Sequence, residues 1–143
     1  MKFVYSTSIF LFALIVISCS GSKYKPVDIK TGNYGFSMSD STGNTVADGD
    51  MNLDTSTGGK VYGTYSFTNK YVSSYPGLNT MGGSFNGSYN KTDGMLHLNM
   101  NPKLADGNVF VEARVYTNSF AGDWSYSTLK GVKATGHFVA SRK

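Results

Sequence analysis

The sequence of 143 residues has little of several residue types, and each shortage narrows what the protein can be. It contains one cysteine and three prolines, so a framework of disulfides within the chain is excluded. Only 15% of its residues are charged, whereas 14% are aromatic. Disordered chains show the opposite balance. The length suits one domain with its surroundings, and we therefore expect a single folded domain.

Catalytic residue types are equally scarce. The chain has two histidines, His97 and His137, and one glutamate, Glu112. No Gly-x-Ser-x-Gly elbow appears, and no histidines and carboxylates have a spacing that suggests a metal site. Asp48, Asp50 and Asp54 lie close together in sequence but lack the order and closing glutamate of a calcium loop. We predict a non-enzymatic protein with no catalytic residues, no metal and no cofactor.

Positive charge is modest and dispersed. Thirteen basic and nine acidic residues give a net charge of +4. Nucleic-acid-binding proteins usually concentrate lysine and arginine on one face. We therefore expect no nucleic-acid partner.

The N-terminal segment has the pattern of an export signal. After Lys2, a mostly apolar run extends to Ile17, which is shorter than the roughly 20 residues of a spanning helix. It ends in small residues, as an export signal does. The sequence Val16-Ile17-Ser18-Cys19 resembles the lipobox of bacterial lipoproteins. A plain signal peptide, or an anchor helix with an incidental cysteine, is the alternative.

The lipobox resemblance implies a division of the chain and a location. Residues 1–18 would be a cleaved signal peptide, and residues 19–31 would be the lipidated Cys19 followed by a flexible linker. The lipid would anchor the protein to a membrane of the bacterial cell envelope. Ser20 stands where an inner-membrane retention signal has aspartate, so the resemblance favours the outer membrane in a Gram-negative host.

Residues 32–143 repeat with the period of a β-strand. Apolar and polar residues alternate in eight short segments, and turn signals such as Asp93-Gly94 separate several of them. Short strands at this spacing favour a sandwich or a barrel. The predicted strands are 33–38, 50–54, 60–68, 82–90, 94–101, 108–116, 123–131 and 134–141.

Glycines on the predicted inner faces favour a barrel over a sandwich. Gly63 precedes Tyr65, and Gly136 precedes Phe138, on the same strand faces. Aromatic rings above glycines suit a small, strongly coiled barrel, and eight strands leave an interior that side chains or one small ligand can fill. Hairpin-length connections predict an antiparallel up-and-down order.

The strand count, the meander order and the closing segments "GDWSY" and "GHFVAS" resemble lipocalin and avidin barrels. The stretch "NSFAGDWSY" with a Gly-rich last strand is also similar to barrel domains of transferrin-binding lipoproteins. These resemblances imply a ligand-binding or receptor-associated barrel. Tyr34 and Phe36 stand where lipocalins have their first-strand tryptophan. The biotin-contact pattern of avidins cannot be placed on this sequence, so no ligand residues are carried over.

Two features are candidates for binding. Glu112 and Arg114 share a strand face; inside the barrel they would anchor a ligand, and outside they would be an ordinary surface pair. The segment 69–81 is the longest connection, and long loops are often binding loops, although it could instead fold back over the barrel end. The candidate ligand- or partner-binding residues are Tyr71, Tyr75, Glu112, Arg114 and Trp124.

Two functions remain. The first is the binding of a small or lipid-like apolar molecule at the barrel mouth. The second is interaction with an envelope protein through the barrel loops, as in a protease or lysozyme inhibitor or a surface receptor component. The space inside the barrel distinguishes them, because an interior filled by aromatic side chains leaves little room for a ligand. The inner aromatic residues are predicted to be Tyr34, Phe36, Tyr65, Phe85, Tyr89 and Phe138.

Overall fold

A computed structural model describes residues 25–143, in which eight antiparallel strands form a closed barrel. Each strand pairs with the next, and the last pairs with the first. The predicted all-β, eight-stranded up-and-down barrel is therefore confirmed, and the sandwich alternative is excluded. The strands are β1 (Gly32–Asp40), β2 (Thr45–Ser56), β3 (Lys60–Lys70), β4 (Gly83–Asn90), β5 (Met95–Asn99), β6 (Asn108–Val115), β7 (Ser119–Thr128) and β8 (Gly131–Arg142).

Three strands begin three or more residues earlier than the sequence pattern predicts. β2 begins at Thr45 rather than residue 50, β7 at Ser119 rather than residue 123, and β8 at Gly131 rather than residue 134. In β2, glycine and aspartate have low strand propensity and interrupt the visible alternation. The structure places Gly49 inside, beneath the ring of Phe36, and buries Val46 completely. Pairing with the neighbouring strands therefore continues through a segment whose composition does not predict it.

The barrel has two ends, which we name by the path of the chain. At the entry end, residues 25–31 lead into β1, and the turns 57–59, 91–94 and 116–118 lie there with the C-terminal end of β8. At the far end lie the turn 41–44, the loops 71–82 and 100–107, and the hairpin turn 129–130. The fold therefore separates two sets of loops on opposite ends. The predicted signal peptide and Cys19 lie outside the described residues.

Glycines allow aromatic rings to lie close to the barrel wall. A Cβ added to Gly136 would come within 2.7 Å of Trp124 Nε1 and would overlap the carbonyl oxygen of Ser39. A Cβ on Gly49 would lie 2.8 Å from the ring of Phe36. The expected partnership of inner glycines with aromatic rings is confirmed, and it explains how so small a barrel holds so many large side chains.

Candidate binding surface

Aromatic side chains fill the interior of the barrel. The rings of Phe36 and Phe138 stack with centroids 5.5 Å apart, and Phe138 in turn stacks on Phe120 at 6.0 Å. Tyr34 packs against Phe120, and Tyr65 contacts Phe36 edge to face. The six aromatic residues predicted to point inward are all buried in the core. This packing occupies the volume in which a barrel of this size would hold a ligand.

The loop 71–82 covers the far end of the barrel. Leu78 is completely buried, and Met81 is nearly so. Tyr75 packs edge to face against Trp124 with ring centroids 5.6 Å apart. Gly77 lies against Tyr126, and its positive φ of 93° suits a residue without a side chain. The structure therefore confirms the second interpretation of this loop, in which it folds back over the end of the barrel.

Residues 25–31 cover the entry end. They form no regular secondary structure, but Val27 and Ile29 pack against the core. The hydroxyl of Tyr34 donates to the carbonyl oxygen of Lys30 at 2.6 Å, and the hydroxyl of Tyr89 donates to that of Val27. The segment next to β1 is therefore attached to the barrel by both apolar contacts and hydrogen bonds.

The predicted binding residues fall into two environments. Tyr71 is 59% exposed, and its hydroxyl donates to Asp48 Oδ2 at 2.7 Å, which raises the pKa of that phenol. Tyr75 is partly buried in the far-end loop, and burial raises its pKa. Trp124 is buried inside the barrel, where its Nε1 donates to the carbonyl oxygen of Ser39. The structure therefore brings Tyr75 and Trp124 together and leaves Tyr71 at the surface.

Glu112 and Arg114 point outward, because the valines that alternate with them along β6 point into the barrel. They follow each other along the outer face of β6, and Arg114 Nη1 lies 3.5 Å from the carbonyl oxygen of Asp93. The interpretation of this pair as a ligand anchor inside the barrel is therefore wrong. An outward pair of charges remains solvated and contributes little to stability.

Glu112 belongs to a polar band that the sequence does not reveal. Across the outer face, His97 is the register partner of Glu112, Glu112 of Asp123, and Asp123 of His137. His137 Nδ1 lies 2.8 Å from Asp123 Oδ1, and His97 Nδ1 lies 3.5 Å from Glu112 Oε1. Both histidines thus face a carboxylate, and the two carboxylates face each other. Register between four strands creates this band, so spacing within the sequence could not predict it.

The carboxylates of β2 and the polar band provide no metal site in this arrangement. Among residues 25–143, no three histidine, cysteine or acidic side chains lie close enough to hold a metal ion. Asp48 accepts from Asn69 and Tyr71, while Asp50 forms an ion pair with Lys143 at 2.5 Å. These acidic side chains have protein partners instead.

The far end carries an apolar surface that the sequence pattern does not predict. Leu104, Phe110 and Leu129 line one open groove of about 260 Å³ between the loop 100–107 and the hairpin turn 129–130. Val132 lies beside this groove in β8, opposite Ser127. Leu129 is 88% exposed. The pattern predicted one strand through residues 123–131, which hid the fact that Leu129 lies at the tip of a turn. Gly131, a residue with positive φ at the start of β8, is the signal for this turn.

Comparison with known proteins finds no family model that matches the chain and no curated protein that is significantly similar to it. Within residues 25–143, no helix has the length and hydropathy needed to cross a membrane.

Proposed function

We propose that this protein is a bacterial envelope lipoprotein that acts without catalysis, by binding another envelope protein on the outer surface of its barrel. The observation that carries the proposal is the filled interior. The stacked rings of Phe36, Phe138 and Phe120 occupy the centre, and Leu78 lies buried beneath the far-end loop. A binding protein with no free interior must use its surface.

Binding of a small apolar molecule at the barrel mouth is the competing function. It would require the far-end loop to withdraw Leu78 and Met81 from the core and to break the contact between Tyr75 and Trp124. Exposing a fully buried leucine costs about 1.5–3 kcal/mol. A ligand would have to repay that cost for each apolar side chain displaced, which favours the protein partner.

The lipobox and the course of the chain support the membrane anchor. Val16-Ile17-Ser18-Cys19 has the residue types of the lipoprotein cleavage site. The barrel receives the chain at the entry end, where Val27 and Lys30 are bonded to it. Since stable anchoring needs more than one acyl chain, the diacylglycerol and N-acyl groups of a lipoprotein would hold the barrel permanently at the bilayer.

Replacing the lipidated cysteine tests the anchor. Cys19→Ala should leave an unlipidated precursor and place no processed protein in the membrane fraction, because the thiol that receives the lipid is absent. Ser18→Ala, which retains a small residue before the cysteine, is the matched control and should be processed normally. Processed Cys19→Ala protein that remains with the membrane would refute lipidation at this residue.

Native mass spectrometry of the processed lipoprotein, purified from its host, tests the mode of binding. A filled barrel should give the mass of the protein with its lipid and no additional small molecule. A further molecule retained at one per barrel would refute the surface-binding proposal. The mass of the retained molecule would also identify the ligand.

A further inference from the structure

The far end carries a surface that combines exposed apolar side chains with lysines, and we name it the hairpin patch. Among the described residues, nine large apolar side chains are exposed, and four of them lie here. The others are distributed over other parts of the surface. Clustered exposed apolar residues mark interaction sites, whereas single ones are ordinary. The hairpin patch consists of Leu104, Phe110, Leu129 and Val132 with Lys103, Lys130 and Lys133.

The backbone beneath the patch is held in place by one carboxylate. Asp106 Oδ1 accepts from the backbone N–H of Gly107 and from that of Leu129, both at 2.8 Å. These bonds connect the loop 100–107 to the hairpin turn. Asn108 is buried beside them, and its Nδ2 donates to the carbonyl oxygen of Asn101. Leu129 is therefore presented by an ordered backbone, which reduces the entropy lost on binding.

The turn itself does not require a leucine. Turns are usually built from Gly, Pro, Asn, Asp and Ser, and here Gly131 supplies the positive φ of 95°. The hydroxyl of Thr128 accepts from the N–H of Lys130 across the turn. The side chain of Leu129 contributes to none of these contacts and is the most exposed of the large apolar residues. The requirements of folding therefore do not explain why a leucine occupies position 129.

The charge of the patch is positive. Lys103 follows directly before Leu104, and Lys130 and Lys133 flank Val132. Of the described residues that line the groove, Asp106 is the one carboxylate, and one of its oxygens is already engaged by two backbone donors. Lys133 Nζ donates to the carbonyl oxygen of Lys130 at 3.4 Å, so its ammonium group lies at the hairpin turn. A partner that approaches the patch therefore meets exposed lysines that are next to its apolar residues in the chain.

We propose that the hairpin patch is the contact surface for an envelope protein that offers an apolar pocket bordered by carboxylates, with Leu129 as the residue that enters the pocket. This inference rests on the proposed function. Apolar anchors in a well-packed pocket provide most of the affinity of an interface. The surrounding lysines would accelerate association with an acidic partner and determine its orientation.

The position of the patch favours a protein over the anchoring bilayer. The chain joins the barrel at the entry end, and its last attachment before β1 is at Val27 and Lys30. Leu129 lies at the opposite end, beyond the full length of the twelve-residue strand β8. A lipid attached to Cys19 would thus hold the entry end toward the membrane and present the patch away from it.

Variants of the full lipoprotein test the inference. The wild type and each variant are immobilised through their lipid in liposomes and exposed to the detergent-extracted envelope proteins of the host. The protein that the wild type retains is then purified, and its affinity is measured directly. Leu129→Asp should weaken that affinity at least about tenfold, because a charge replaces the buried anchor. Lys130→Glu with Lys133→Glu should also weaken it, mainly through slower association.

Tyr116→Asp is the matched control, since Tyr116 is an exposed aromatic residue in a turn at the entry end. It should bind like the wild type. A partner that binds the wild type and Leu129→Asp equally, or that Tyr116→Asp loses as well, would overturn the patch while the proposed function stands. Failure of the wild type to retain any protein would contradict the proposed function itself. Leu129-dependent binding to vesicles of phosphatidylglycerol, with no protein retained, would replace the protein partner by a membrane.

Discussion

At the scale of single residues, the barrel depends on positions where a side chain is absent. Gly136 lies against the carbonyl of Ser39 and the indole of Trp124. Sequence alone predicts that inner glycines lie next to aromatic rings, since the two alternate on the same strand faces. It does not predict which ring covers which glycine. Gly63 lies beneath Phe85 of the next strand rather than beneath Tyr65 of its own, because pairing across strands determines the contact.

We expect Gly136→Ala to lower the free energy of unfolding by about 2–4 kcal/mol, because the new Cβ overlaps a backbone carbonyl and forces Trp124 to move. Gly82→Ala is the matched control, since a Cβ there meets no atom within 4 Å. Urea denaturation of both variants makes the comparison. Equal stability of the two variants would show that the backbone and side chains beside Trp124 move at little cost to accommodate the added methyl group.

Tyr65 carries a polar group that is buried in the filled interior. Its hydroxyl donates to the carbonyl oxygen of Met100 at 2.8 Å, and burial raises its pKa well above the ordinary value. Folding therefore favours the neutral phenol. Its stabilising contribution is complete below the unfolded-state pKa of about 10 and is lost as pH rises through the higher folded-state pKa.

Tyr65→Phe should lower stability at neutral pH by about 1–3 kcal/mol, since the carbonyl of Met100 loses its donor. The variant should also lose less stability than the wild type when the pH is raised above about 10, because one fewer phenol must ionise on unfolding. Denaturant titrations on both sides of that pH measure the difference. Parallel declines in the two proteins would indicate that Tyr65 ionises freely in the folded state.

At the scale of elements, the far-end loop behaves as part of the core rather than as a mobile connection. Leu78 and Met81 are buried, and Tyr75 contacts Trp124. The sequence indicated a long loop with aromatic residues but left two interpretations open. The local pattern carries no information about where a loop lies on the barrel, because its contacts, such as that of Gly77 with Tyr126, join residues far apart in the chain.

Leu78→Ala should reduce stability by about 2–5 kcal/mol, the usual cost of a cavity in a packed core. Val72→Ala, at an exposed position of the same loop, should change it by less than about 0.5 kcal/mol. Thermal unfolding followed by circular dichroism gives both values. A small effect of Leu78→Ala would mean that the loop opens readily, and the small-ligand function would then gain support.

At the scale of the whole molecule, the sequence predicts that the sheet closes, but it does not predict which residues meet on the outer surface. Alternation along each strand is local, and eight such strands in sequence indicate a barrel. The polar band and the hairpin patch arise from register and from contacts such as that between Asp106 and Leu129, which are 23 residues apart. Neither has a signature within a short stretch of sequence, which is why His97 and His137 appeared unrelated.

Closure also predicts how truncation acts. Removal of residues 136–143 deletes the segment of β8 that pairs with β1, so β1 and β7 would each expose an unpaired edge. Exposed edges promote association between chains, and the shortened protein should aggregate or unfold. Removal of Lys143 alone deletes one backbone bond to Asn33 and the exposed ion pair with Asp50, and it should leave a folded monomer. Size-exclusion chromatography distinguishes these results, and a monomeric form of the larger truncation would contradict the argument.

The neighbouring positions of β1 and β8 have a mechanical consequence. These strands are antiparallel, and the chain enters β1 and leaves β8 at the same end. A force pulling the two ends of the barrel chain apart would open the seam one residue pair at a time. A force between the entry segment and a partner held at the hairpin turn would instead pull along the strands and load the seven β1–β8 pairs together. Tension transmitted from an anchored N-terminus to a partner at Leu129 thus acts in the direction in which the barrel resists best.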